Sequence, residues 1–380
     1  MTNPLIIIGS GFAAYQLVKN IRRQNSELPV QVFTADSGDE YNKPDLSHVF
    51  TRKQTAEDLV STPGNVFAEQ QQIELFCYTR VESIDPAAHS IIADGKCYPY
   101  SRLVFATGAQ SFVPLLSGNA TGDIVTLNSL QEYRDAHQRI VRAERVLIMG
   151  GGLIGVELAL DMLTSGKQVH IIEPGMHLLS NLIPGFLSTP LECYLRSKGM
   201  QVDCLDYVTE MNRRSASLSV QTSRGVSYDT DCVISAAGLT PRTELAKKAG
   251  LAVNRGIVVD NRLRTSVKDI YALGDCAEIE GKIMAFLQPI VLSANILAKQ
   301  LLTSEGELGL PAMMVKVKTP GYPIQLGGSF ESAVEWQVNH TEQGTVARAY
   351  DQNNRMTGFV VTQEQVNQAF PLLREVQTAR

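Results

Sequence analysis

Two stretches of the chain repeat one succession of apolar and polar positions. In the first, the apolar run Leu5-Ile6-Ile7-Ile8 stops at Gly9-Ser10-Gly11-Phe12-Ala13-Ala14, after which Ala14, Leu17, Val18 and Ile21 recur on one helical face. A short unbroken apolar run predicts a buried strand, and the 3.6-residue period after it predicts an amphipathic helix. Residues 30–34, with Val30 and Val32 alternating, predict the next strand, which runs into Ala35-Asp36. In the second stretch Arg145-Val146-Leu147-Ile148-Met149 leads into Gly150-Gly151-Gly152-Leu153-Ile154-Gly155. Ile154, Leu158, Ala159 and Met162 mark the helix, and the strand predicted over 168–172 ends at Glu173.

Strand, glycine turn, helix, strand and acid form the dinucleotide fingerprint, here as G-x-G-x-x-A and G-x-G-x-x-G. Gly9 permits the tight turn, Gly11 lets backbone approach a pyrophosphate, and Ala14 keeps helix and strand close. Gly150, Gly152 and Gly155 repeat these roles, and each helix start offers unpaired N–H groups to phosphate. Glu173 stands where a carboxylate accepts from an adenosine ribose. An NADP site is expected to offer an Arg there, and Pro174-Gly175-Met176-His177 offers none, so the second loop reads as an NAD(H) site. One such loop also arises from packing alone. Two in one chain imply two dinucleotides and hydride passage between them, which points to a flavin with a nicotinamide.

With 380 residues the chain is long enough for two or three domains. Hydrophobic residues at 44% and charged residues at 19% exclude a disordered or disulfide-scaffold protein. A net charge of -5 without any Lys/Arg-rich run argues against nucleic acid and anionic membranes as partners. The start, Met1-Thr2-Asn3-Pro4, carries no basic leader, and the apolar run after it is too short for a signal peptide or a membrane span, so a cytoplasmic location is expected. No two of Cys77, Cys97, Cys193, Cys204, Cys232 and Cys276 stand in a C-x-x-C or C-x4-C relation, and the six histidines lack i, i+4 pairing. Neither a redox disulfide nor a metal site is expected.

Over essentially its whole length the chain resembles the two-dinucleotide-domain flavoprotein reductases, the class related to glutathione reductase. Besides the fingerprints, the resemblance rests on Leu103-Val104-Phe105-Ala106-Thr107-Gly108, on Val233-Ile234-Ser235-Ala236-Ala237-Gly238, and on Thr265-Ser266-Val267-Lys268-Asp269-Ile270-Tyr271-Ala272-Leu273-Gly274-Asp275. It implies an α/β fold: two Rossmann-like three-layer dinucleotide-binding domains of the glutathione-reductase type plus a small α+β C-terminal domain. The expected boundaries are 1–112 and 240–308 for a discontinuous FAD domain, 113–239 for an NAD domain and 309–380 for a C-terminal interface domain. Spacing leaves open which loop takes which dinucleotide. The resemblance assigns the first to FAD and the second to NADH, and it gives Asp275 the ribitol of FAD. Read from its neighbours alone, Asp275 also suits a helix N-cap before Cys276-Ala277-Glu278.

Where disulfide reductases carry a cysteine pair, this sequence has Asp39-Glu40-Tyr41-Asn42-Lys43-Pro44-Asp45-Leu46-Ser47, without sulfur. That segment, with Phe286-Leu287-Gln288-Pro289-Ile290 and the run Leu310-Pro311-Ala312-Met313-Met314-Val315-Lys316-Val317-Lys318-Thr319-Pro320, narrows the resemblance to the rubredoxin reductases, flavorubredoxin reductases among them. The resemblance implies that NADH reduces FAD and that the reduced flavin serves the rubredoxin iron of a flavorubredoxin, which reduces nitric oxide. Free rubredoxin or ferredoxin stand as other acceptors. A flavin-bearing interaction protein, similar to apoptosis-inducing flavoproteins, is the other class of reading. The oligomeric state is left open.

On this basis Gly9, Gly11, Ala14, Asp36, Lys43, Asp275 and Gln288 are expected to hold FAD, and Gly150, Gly152, Gly155 and Glu173 to hold NADH. Glu157, on the first turn of its helix, is expected to pair with Lys43 beneath the flavin as the catalytic pair; its other reading is an acid favoured by the positive helix terminus. Lys316 and Lys318 read either as part of the surface for an acidic acceptor or as the solvated face of a strand. Trp336 reads as core packing.

Overall fold

The computed structural model describes residues 3–378. Its first sheet is wholly parallel, with strands in the order Ile270–Ala272, Arg102–Phe105, Leu5–Ile8, Val30–Phe33 and Glu74–Phe76. The strand contributed from beyond residue 240 lies at the edge, beside Arg102–Phe105, so chain segments on both sides of the second unit build one sheet. Leu5 to Ile8 are all buried, as an unbroken apolar run in a sheet covered on both faces requires. Helices Phe12–Arg22 and Leu287–Thr303 pack on it through Leu17, Val18, Ile21, Ala294, Leu297 and Leu301. A three-stranded antiparallel meander, Val81–Asp85, Ser90–Ala93 and Lys96–Pro99, completes this unit.

The second unit repeats the plan. Its parallel sheet runs Gln201–Cys204, Gln168–Glu173, Arg145–Met149, Cys232–Ser235, and a meander of Val208–Arg213, Leu218–Thr222 and Ser227–Thr230 is inserted in the chain before its last strand, Cys232–Ser235. The two crossings between the units, Ala109–Ser111 and Leu239–Pro241, pair with each other as an antiparallel ribbon. The third unit is a five-stranded antiparallel sheet with helix Ala369–Thr378 on one face, its Leu372 and Val376 clustered with Phe359 and Val361 of the sheet. Its other face, through Val317, Ile324, Leu326, Ala347 and Val360, joins one continuous core with the second unit and with Leu46, Val49 and Phe50. Tyr194 Oη donates to Pro320 O (3.0 Å), and Trp336 packs edge-on against Phe186 of the second unit, which makes it an interface side chain. The fold is thus two Rossmann-like units and a small α+β unit. No helix among the described residues is long and apolar enough to cross a membrane.

Candidate functional site

Each glycine loop is built the same way. Gly9 and Gly150 have φ of +109° and +108°, and a Cβ would stand 2.3 Å from Ala106 O or 2.6 Å from Ala236 O, the residue just past the neighbouring strand. Only glycine satisfies both constraints. Gly11 and Gly152 are the N-caps of helices Phe12–Arg22 and Leu153–Thr164; neither has a side-chain cap, and a Cβ at either would meet nothing within 4 Å. Both helix starts are therefore uncapped beside open space, an arrangement that suits a pyrophosphate. Ala14 is buried against the first sheet, and Gly155 lies so close to its own loop that a Cβ would be 2.0 Å from Gly150 O.

Each acid makes hydrogen bonds to its glycine loop. Asp36 reaches the first loop through side chains: its Oδ1 accepts from Thr34 Oγ1 (2.7 Å), Ser10 Oγ (3.2 Å) and Gly38 N (3.2 Å). Glu173 folds back on the second loop and accepts from Gly151 N through Oε2 and from Gly175 N through Oε1 (2.6 Å).

Asp275 sits in the short turn Gly274–Cys276, followed by the strand Ala277–Ile279. The helix-cap reading of Asp275 is thereby removed, because no helix follows it. Its Oδ2 pairs with Lys43 Nζ (3.4 Å), while its Oδ1 is buried without a hydrogen-bond partner. A buried carboxylate oxygen without a donor is costly, and hydroxyl donors such as those of a ribitol would satisfy it. With the two open glycine loops, this orphaned oxygen fits a bound flavin dinucleotide. Gln288 is exposed at the second position of helix Leu287–Thr303, after Phe286, which is partly exposed.

The expected Lys43–Glu157 ion pair is not formed. Glu157 is 3% exposed, and its oxygens are taken by Ser47 Oγ (2.8 Å to Oε2) and by the backbone N–H of Lys318 (2.8 Å to Oε1). Lys43, about one-third exposed, keeps its ammonium on Asp275 instead. Burial pushes the Glu157 carboxyl above the ordinary glutamate range, opposed by the two hydrogen bonds and by the nearby charge of Lys318. Lys318 is turned inward, with Nζ donating to Pro44 O (3.1 Å). Lys316 is exposed, with its ammonium 5.9 Å from the centre of the Phe370 ring.

Sequence reasoning missed Ser10, Thr34, Ser47 and Asp161. Asp161 Oδ2 and Oδ1 accept from Phe50 N (2.8 Å) and Thr51 N (3.2 Å). The available signal was the pair Glu157 and Asp161, two acids a turn apart in a helix otherwise apolar on most sides.

Residues 3–290 match the family described as pyridine nucleotide-disulphide oxidoreductase, and residues 307–376 match the rubredoxin binding C-terminal domain. The chain is 55% identical to a protein of Aliivibrio fischeri named nitric oxide reductase FlRd-NAD(+) reductase, with 100% of each chain covered. It is 46% identical to a protein of the same name from Escherichia coli O127:H6, over 98% of this chain and 99% of that one. Among solved structures, the covalent putidaredoxin reductase–putidaredoxin complex superposes with a TM-score of 0.90 at 22% identity, covering 99% of this chain and 93% of the other. The ferredoxin reductase of the CYP199A2 system from Rhodopseudomonas palustris gives 0.87 at 24%, covering 97% and 93%. These two show the fold.

Proposed function

The chain belongs to the pyridine nucleotide-disulphide oxidoreductase family, and from that membership and its C-terminal match we propose that it is an NADH-dependent flavoprotein reductase serving a rubredoxin centre. The acceptor is the rubredoxin centre of a flavorubredoxin, and the electrons support nitric oxide reduction, in keeping with the names of the full-length relatives. The observation that carries this reading is two open glycine loops in a chain whose six cysteines are all free, none of them in the turn Lys43–His48. No thiol pair relays electrons, so they leave toward a carrier.

Bound FAD would supply hydride acceptance from NADH and the one-electron release that a carrier requires. Gly9, Gly11 and Ala14 shape its pyrophosphate turn, Asp36 its adenosine side, and Asp275 its ribitol, with Lys43 supplying a cation beside Asp275 and Gln288 at the adjoining helix start. Gly150, Gly152 and Gly155 shape the NADH turn, and Glu173 selects NADH by accepting from the ribose. Segments 1–112 and 240–308 form the flavin unit, 113–239 the NAD unit and 309–380 the acceptor unit. The protein works in the cytoplasm. Because Lys318 is committed inward, the attraction of an acidic acceptor falls to Lys316, beside Phe370, which is 61% exposed.

The test is turnover of the FAD-loaded protein with NADH or NADPH against oxidised flavorubredoxin, rubredoxin and ferredoxin. The expected outcome is NADH preferred and flavorubredoxin reduced fastest. Failure to reduce every carrier under both nucleotides would overturn the reading and favour a flavin-bearing interaction protein.

A further inference from the structure

Glu157 and Asp161 stand four residues apart on helix Leu153–Thr164, hence one above the other on one face. Both are nearly sealed from solvent, at 3% and 6% exposure, and neither has an ion-pair partner within 4.0 Å among the described residues. A carboxylate taken out of water without a counter-charge is retained only where hydrogen bonds replace its hydration. The donors come from outside the second unit. Asp161 accepts from Phe50 N and Thr51 N, and its backbone carbonyl accepts from Thr51 Oγ1 (3.1 Å). All of these belong to the segment that begins with Lys43. Glu157 divides its two oxygens between Ser47 Oγ, in that segment, and Lys318 N, in the C-terminal unit. Lys318 then returns to the same segment through Nζ on Pro44 O, next to the residue whose ammonium sits on Asp275. The three units therefore meet on one carboxylate, and Asp161 fixes the far end of the segment with no hydrogen bond to the C-terminal unit among the described residues.

We propose that Glu157 is a positioning residue that couples the C-terminal unit to Lys43. A shift of that unit is carried through the two oxygens to residues 43–51, and so to the Lys43–Asp275 pair. That a bound electron acceptor is what shifts the unit rests on the functional reading above. Asp161 is the fixed pin, and Glu157 the coupled one.

Hydrogen exchange of the FAD-loaded protein, followed in peptides covering 43–51 and 314–320 with 145–149 as reference, tests it without any turnover measurement. In Glu157→Ala both peptides are expected to exchange about tenfold faster. An amide side chain offers one acceptor oxygen where a carboxylate offers two. Glu157→Gln is therefore expected to protect one peptide and release the other, a split that a general loss of stability would not produce. Asp161→Asn is expected to release 43–51 alone. Should Glu157→Ala fail to fold, Ser47→Ala removes a single hydroxyl and is expected to loosen 43–51 while leaving 314–320 unchanged. Unchanged exchange at either peptide in Glu157→Ala, or at 43–51 in Ser47→Ala, overturns the coupling. Oxidised rubredoxin added to the wild-type protein separates the two readings. A response at 314–320 without one at 43–51 defeats the coupling, whereas no response at 314–320 counts against docking on that unit and leaves the variant data to decide the coupling.

Discussion

The two glycine loops are near copies in backbone and differ at the helix that follows. Gly9 N bonds to Phe33 O (2.8 Å) and Gly150 N to Ile172 O (2.9 Å), while Ala106 N and Ala236 N close the other side on Ile8 O and Met149 O. Beyond the loops, Ala14 corresponds to Gly155, Gln16 to Glu157 and Asn20 to Asp161. The helix after the first loop carries a methyl at the third fingerprint position and amides at Gln16 and Asn20. The helix after the second loop presses closer to its loop and carries two carboxylates at the matching positions. The common backbone is set by the same close approach of glycine to the neighbouring strand, and the differences are set by what each helix packs against. The first lies beside helix Leu287–Thr303 within its own unit, and the second receives donors from the other two units.

The sharpest test of that difference exchanges the third fingerprint residue. A Cβ at Gly155 would sit 2.0 Å from Gly150 O, which is backbone and cannot swing aside. Gly155→Ala is expected to lower the unfolding free energy by about 3 kcal/mol, at the upper end of overpacking costs, with loss of NADH binding. Ala14→Gly at the first loop is expected to cost only about 1 kcal/mol, from helix propensity. Chemical denaturation measures both. Equal losses would show that the two helices approach their loops alike.

At the second fingerprint position the two loops are expected to behave identically. Gly11 and Gly152 have φ of -72° and -71°, which any residue adopts, and open space where a Cβ would go. Gly11→Ala and Gly152→Ala are expected to change stability by less than about 1 kcal/mol. The same methyl displaces the dinucleotide phosphates, and a loss of about tenfold in affinity, or ~1.4 kcal/mol, is expected for FAD in the first variant and for NADH in the second. Equilibrium titration of each dinucleotide decides this. Weakened binding of the other dinucleotide by either variant would contradict the assignment of loops.

How much of this was legible in the sequence follows from range. The strands, glycine turns and first helices of both units depend on neighbours within about thirty residues, so the apolar run, the Gly spacing and the following acid were sufficient. Asp36 was legible only as a position, because its grip on the first loop passes through Ser10 and Thr34, whose hydroxyls have no pattern of their own. The Lys43–Glu157 pairing failed for a long-range reason. Ser47 and the Lys318 amide, 110 residues upstream and 161 downstream of Glu157, reach it first, and a backbone N–H is invisible in a sequence. For Asp275 the alternative of a cap arose because the acid precedes Cys276-Ala277-Glu278, whereas pairing of Ala277–Ile279 with Ile257–Val259 makes that stretch a strand.

The smallest expected effect is a pH dependence that only the second of the two helices, Leu153–Thr164, can show. Glu157 is buried, and desolvation holds its proton-binding range above that of an exposed glutamate, partly offset by the Lys318 amide, by Ser47 and by the charge of Lys318. Gln16, at the matching position of the other helix, does not titrate. For an acid whose pKa is raised by folding, the native state binds more protons than the unfolded chain between the two values, so stability falls as pH rises through that window. The contribution is fully present below the ordinary glutamate value of about 4.3 and is lost as pH climbs through the raised one. Thermal unfolding of the wild type and Glu157→Gln across mildly acidic pH is therefore expected to diverge in slope, the variant losing less stability as pH increases. Parallel curves would mean that the hydrogen bonds to Glu157 fully replace its hydration, and the contrast between the carboxylate helix and the amide helix would then be one of connectivity alone.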